Sequence, residues 1–323
     1  MADLPLKHVK AHPRDVGSDI DPRPELARLS ERILDQEIRD YTALFDDAVD
    51  ALHDPRPETL WARDRQAAGR NKAAIAALEY GAEQAQRLAL SAADHTHVLR
   101  LLMRHDRLLL VPAWTTSRAV LEPVLMTCWL TDPNVTSQMR IARAASLLPG
   151  ILEGTIAQLA KFSGREAEVD EKRQARVDLI AYHERNGFEI RHATNKKGLP
   201  RDEIAAVVYE GQRASTNHNI TELATRYIPD APFLYGLLSG ATHSKLWLLN
   251  GLGDDADEAI RAIVNQLIPI SDAYTRTICT YLGLDPAPYV VRRDRRQVAL
   301  VRRGSPMRTR ERSSPPSAFG TLS

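Results

Sequence analysis

The most apolar stretch of the chain, residues 108–130, carries an arginine and a glutamate in its middle, and that limits what the chain can fold into. Arg118 and Glu122 stand one helical turn apart, so on a helix their side chains lie one above the other. Trp114, Leu121, Leu125 and Trp129 fall near the same face, which sets the pair among apolar neighbours. A buried charge is costly unless it is paired, so the pair needs partners or a task. The stretch is long enough to raise the question of a membrane span. Arg118 and Glu122 at its centre, with Pro112 and Pro123, argue against one, because such charges are costly in a bilayer. The expectation is a buried core helix in a soluble, cytoplasmic protein with no membrane partner.

Composition points to the same class. The 323 residues are 43% apolar, enough for a sizeable core. The 16 glycines are few, and Ala, Leu, Arg, Glu and Gln run for long stretches without β-branched clusters, so the predicted fold is all-α. The two cysteines, Cys128 and Cys279, have neither a disulfide framework nor zinc-ligand spacing. They read as small core hydrophobes in a reducing compartment. The formal charge of +1 conceals an asymmetry. From Arg292 onward nine arginines face Asp294 and Glu311, a balance of +7 that leaves −6 for the rest.

Residues 1–23 are polar and proline-bearing without an apolar core segment, so a flexible arm and no signal peptide are expected. Residues 24–290 are expected to form one helical bundle domain and 291–323 a disordered basic tail. Within the bundle, Leu26, Leu29, Ile33, Tyr41, Leu44 and Val49 make one apolar stripe, ended at Asp54-Pro55. A second helix is predicted from Pro57 to about Ser91, its Ala-rich part (73–89) suited to close packing. Asp94-His95-Thr96-His97 then reads as the start of a shorter helix. After the central helix, Pro149-Gly150 predicts a kink or break in the helix over 136–162. The charged segment 165–185 reads as a solvent-facing helix with Asn186-Gly187 as its left-handed cap. A small irregular or hairpin insertion is expected near 187–198, then a helix from Pro200 to about Ser215. Asn219-Ile220-Thr221-Glu222 fits a capping box opening a short helix to Tyr227. An apolar helix over 233–249 and a last helix over 255–282, bent at Pro269, complete the bundle.

The helix over 233–249 has its own polar stripe: Tyr235, Ser239 and His243 recur every four residues. Two apolar helices each bearing such a stripe can satisfy each other, so Arg118 and Glu122 are expected to face Tyr235, Ser239 and His243. Arg140 and Arg143 on the following helix belong to the same expected polar cluster. This pattern, Arg118-x-x-x-Glu122 leading to Trp129-Leu130-x-Asp132-Pro133, then Arg140 and Arg143, then Tyr235-x-x-x-Ser239-x-x-x-His243, resembles uncharacterised all-helical actinobacterial proteins distantly similar to the HEPN (higher eukaryotes and prokaryotes nucleotide-binding) superfamily. The resemblance covers roughly residues 108–247. It implies a helical bundle and a role linked to nucleotides or RNA. In HEPN ribonucleases an Arg, often followed by a polar residue, is separated from a His on the same helix by four to six intervening residues. Two segments here have that spacing, Arg185 to His192 (with the polar Asn186 following the arginine) and Arg213 to His218.

Two functional classes follow. One is a non-catalytic binding or regulatory protein in which Arg118, Glu122 and His243 lock the fold or line a small polar pocket. The other is a metal-independent nuclease of HEPN type, with His243, His218 or His192 as general base and an arginine stabilising phosphate charge. Ser239 and His243 on one helix make no hydrolase without an oxyanion hole or nucleophile elbow. Asp94, His95 and His97 lack a further ligand, and Asp at a helix start is a common cap, so no metal site is expected. No phosphate loop or dinucleotide fingerprint is present and no cofactor is expected. The expected partners are a second copy of the chain, through Ala-rich helix faces, and nucleic acid, contacted by the arginines of the tail.

Overall fold

The computed structural model describes residues 25–105, 109–195, 197–231, 233–243 and 256–304. Among them the chain is all-α with one small sheet. Helix α1 (Glu25–His53) is followed by α2 (Leu60–Ala68), α3 (Lys72–Arg104), α4 (Leu110–Leu130), α5 (Ser137–Leu159) and α6 (Glu166–Arg185). Strands β1 (Phe188–Thr194), β2 (Pro200–Tyr209) and β3 (Gln212–Ser215) come next. The chain then returns to helix in α7 (Ile220–Tyr227), α8 (Leu234–Thr242), α9 (Ala256–Leu282) and α10 (Ala287–Gly304). No helix among the described residues is long and apolar enough to cross a membrane.

Helix α4 is the pillar of the bundle. It packs against α3, α9, α8, α7 and α5, and Ala113, Val120, Leu121, Leu125 and Cys128 along it are fully buried. Its flanks explain the Ala-rich sequence of α3. A Cβ on Gly81 would stand 2.8 Å from the Cβ of Ala144, so α3 and α5 approach as closely as bare backbone permits.

Local chemistry fixes several boundaries. Thr59 caps α2 by accepting the Ala62 N–H, and Asn71 caps α3 by accepting those of Ala73 and Ala74. Between them Gly69 ends α2 with φ +57, a positive value that glycine takes without a Cβ clash. The expected helix over 57–91 is therefore two helices, and α3 runs on through Asp94–His97 instead of restarting there. Asn219 caps α7 by accepting from Thr221 and Glu222, as its sequence anticipates.

The sheet corrects the expected helix over 200–215. β2 pairs antiparallel with both β1 and β3, in the order β1-β2-β3. Tyr209 faces Gln212 across the two residues Glu210 and Gly211, whose φ values are +45 and +78. That is the hairpin turn whose twist suits flanking strands. The run Val207-Val208-Tyr209 before it is β-branched and aromatic, with a strand preference that a helical reading overrode. Of the kink or break expected at Pro149-Gly150, the break is absent, since α5 is one helix with Pro149 inside. Gly150 has a different use: a Cβ there would meet the carbonyl oxygen of Thr216 at 2.6 Å, so the sheet's end leans directly on the helix.

The second correction is at the C-terminal end. Residues 287–304 form α10, so the chain from Arg292 to Gly304 is not a disordered tail. Two of its arginines are bound by α1. Arg296 pairs with Glu37 at 2.8 Å and with Asp40 at 2.5 Å, and Arg292 pairs with Asp40 at 2.6 Å. Ser271 of α9 donates to the second oxygen of Glu37, and Leu300 is buried behind them. The basic segment is thus the counter-charge of an acidic face on α1. Residues 1–24 and 305–323 lie outside the described residues.

Candidate functional site

Two polar clusters hang on α4, and they are separate. The first is the expected one. Arg118 Nε donates to Glu122 Oε1 at 2.7 Å, and Arg118 Nη2 donates to the Tyr235 hydroxyl at 3.2 Å. The guanidinium carbon stands 5.2 Å from the centroid of the Tyr235 ring, a cation–π contact. Helices α4 and α8 thus meet through Arg118 and Tyr235. Ser239 is half-buried and His243, in the turn after α8, is exposed. No hydrogen bond among the described residues joins either of them to Arg118 or Glu122. The rest of the helix expected over 233–249, from residue 244 on, lies outside the described residues.

The second cluster holds Arg140 and Arg143, which do not join the first. Arg140 donates from Nε and Nη2 to the two oxygens of Asp64, both at 2.7 Å, a bidentate fork joining α5 to α2. The Tyr281 hydroxyl of α9 donates to the same carboxylate at 2.9 Å. Arg140 is 2% exposed and Asp64 0%. Burial lowers the affinity of the guanidinium for its proton, but Asp64 outweighs that, and Arg140 is held above its ordinary value. Its remaining nitrogen, Nη1, donates to the carbonyls of Asp132 and Val135, which closes the end of α4 onto the start of α5.

Asp132 is the hub. Its carboxylate is fully buried and accepts from Tyr227 Oη at 2.8 Å, Arg226 Nη2 at 2.6 Å and the Asn134 N–H at 2.9 Å. Arg143 Nη1 stands 3.3 Å away and also donates to the Trp129 carbonyl at 2.5 Å. Desolvation pushes the Asp132 carboxyl up, but the Asn134 N–H, the Tyr227 hydroxyl and the two arginines together hold it below its ordinary value. Burial raises the Tyr227 and Tyr281 hydroxyls, so neither ionises near neutrality. Arg226 is the outlet of this network: 47% of its side chain is exposed.

That outlet faces a cleft of about 670 Å³ between the end of α4, the α7–α8 connection and α9. Asp132, Asn134, Arg226 and Tyr227 line one side, and Asp272, Arg276, Thr277 and Thr280 the other. Arg276 is anchored by its Nε on Asp272 at 2.7 Å, and 67% of its side chain is exposed. Each arginine is therefore pinned at one nitrogen and keeps further donors. A smaller apolar cavity of about 40 Å³ lies between α1, α3 and α9, with Arg140 and Tyr281 on its wall.

The sequence-expected acid–base candidates are scattered. Arg185 ends α6 while His192 is in β1, and Arg213 is in β3 while His218 precedes α7. Neither Arg–His spacing lies on one helix, which removes the geometry that motif requires. Asp94, His95 and His97 lie inside α3 with Asp94 and His97 exposed, and the described residues contain no group of three or more His, Cys, Asp or Glu side chains able to hold a metal. Burial pushes the thiols of Cys128 and Cys279 up to about 12, so both stay protonated.

His218 packs edge-on to Trp129, ring centroids 4.3 Å apart, and its buried Nε2 finds no hydrogen-bond partner. Burial, and then the charge of Arg143, hold its imidazole below the ordinary value near 6.5; burial does the same to His183. As pH falls, the unfolded chain takes up these protons first, so the stability concerned is present above about 6.5 and lost below it. The melting temperature is expected to fall between about pH 7.5 and about pH 5.5. A His183→Leu/His218→Leu chain should show a shallower fall across that range, and an unchanged slope would contradict the assignment.

No protein-family model matches the chain, and no curated protein or solved structure matches it either. The geometry alone therefore speaks for function. Sequence reasoning passed over Asp64, Arg226 and Tyr281, took Tyr227 only as the end of a short helix, and used Asp132 only within the Trp129–Pro133 pattern. Their one sequence signal is that Asp64, Arg140 and Arg143 fall on faces shared with apolar residues.

Proposed function

We propose that this chain is a non-catalytic helical binding protein whose ligand site is the cleft beside Asp132. The ligand is a small molecule carrying a carboxylate or phosphate group. The observation that carries the reading is the state of the two cleft arginines. Arg226 and Arg276 are each fixed by one nitrogen to an aspartate and keep the rest of the guanidinium for a planar anionic acceptor. Pinning them beforehand lowers the ordering cost of binding. The non-catalytic part rests on the lining: it includes no His, Cys or Lys among the described residues, and its one buried carboxylate is already saturated with donors. The Arg118–Glu122–Tyr235 cluster in this reading joins α4 to α8 and sets their register.

A thermal-shift screen of small carboxylates and phosphates tests this. A hit is expected to raise the melting temperature of the native chain. In an Arg226→Ala/Arg276→Ala chain that folds, the shift should disappear. A shift that persists undiminished there would place the ligand elsewhere, and substrate turnover by the native chain would end the non-catalytic reading.

A further inference from the structure

Helix α1 is flanked on both sides by arginine-lined depressions. On the α3 side, a depression of about 580 Å³ is lined by Arg28, Arg32, Arg39, Arg100 and Arg104, with Glu31 and Asp35 as its acidic members. On the α10 side, a second of about 330 Å³ is lined by Arg32, Arg292 and Arg295. The two share Arg32 and Gln36, so the basic surface runs unbroken across α1 from α3 to α10.

The acids do not neutralise it. Asp35 is shared by Arg39 and Arg100, and Glu31 is taken by Arg104 at 2.9 Å. Arg32 and Arg295 are exposed and form no ion pair among the described residues. Arg28 and Arg32, like Arg100 and Arg104, are four residues apart, about 6 Å along a helix axis. The arginines thus stand in short rows on two neighbouring helices, an arrangement suited to successive backbone phosphates. No aromatic side chain lines either depression, so base stacking has no platform. No exposed large apolar side chain lines them either, as insertion into a lipid interface would require.

We infer that this band on α1, α3 and α10 binds the phosphate backbone of double-stranded nucleic acid without reading its sequence. Guanidinium forks hold the phosphates and counterion release supplies the affinity. The surface belongs to the folded body, since the arginines at its α10 edge are set in place by Asp40 and Glu37.

The test is fluorescence anisotropy of the full chain with a labelled duplex of about 20 base pairs, titrated with salt from about 50 mM. The native chain should bind, with log K falling linearly with log salt. Arg32→Gln/Arg295→Gln removes two guanidiniums that hold no ion pair in the fold, so its thermal melt should match the native one. Its salt slope should be shallower by about 1.8, at about 0.9 per phosphate contact. A slope identical to the native one would assign binding to the terminal arginines beyond 304 and overturn the inference. Failure of the native chain to bind duplex at low salt, or binding to anionic vesicles with none to duplex, would overturn it as well.

Discussion

Asp64→Ala is expected to destabilise the fold by about 3–5 kcal/mol, read as a lower denaturation midpoint. The carboxylate is fully buried and answers three donors from two other helices, two on Arg140 and one on Tyr281. Removing it leaves a guanidinium in the core with the Asp132 and Val135 carbonyls and the Ser137 hydroxyl but no counter-charge, and an uncompensated buried charge costs more than the pair was worth. Replacing both partners, as Asp64→Leu/Arg140→Met, removes the charge together with its counter-charge and should recover much of the loss. That contrast is the informative one. If Asp64→Ala shifted the midpoint by less than about 1 kcal/mol, the fork would not be buried as described.

Truncation at residue 291 is the second large effect, and it separates two pictures of the C-terminal end. A disordered basic tail can be cut without consequence. Here the cut removes the cations of Glu37 and Asp40, which are 2% and 7% exposed, and uncovers the site that Leu300 fills. Stranding those carboxylates alone is expected to cost about 3–5 kcal/mol, so the truncated chain should melt far below the native one or fail to fold. An Arg296→Met chain should lose part of the same stability while keeping α10. An unshifted melt after truncation would return the segment to the status of a loose tail.

These two effects mark where sequence reasoning reached and where it stopped. The stripe Leu26, Leu29, Ile33, Tyr41, Leu44 identified α1 because helical periodicity is local. So did the Asn219 cap of α7 and the Asn186-Gly187 exit of α6, which take only a few neighbouring residues to specify. The apolar α4 with its Arg118–Glu122 pair was legible for the same reason, as was the meeting of α4 with Tyr235, because a buried charge needs a polar complement. The sheet was half legible. β1 alternates visibly, whereas the run from Ile204 to Tyr209 suits a strand or a buried helix equally until the Glu210-Gly211 turn is recognised.

The candidate site was not legible. Arg140 reaches Asp64 across 76 residues, Tyr281 reaches it across 217, and Arg296 reaches Asp40 across 256. An arginine has the same residue type whether it ends in water or in the core, and no spacing in the chain ties it to its acid. The net charge of the C-terminal segment was legible and its folding as α10 was not, because Glu37 and Asp40, which hold Arg292 and Arg296, lie at the other end of the sequence. The sequence by itself determined that the chain is mainly helical, where α1, α4, α6 and α7 lie, and that α4 is buried. Only the tertiary structure decided which charges meet, since ion pairing depends on distance in space and the chain brings those residues together only after its apolar stripes have packed.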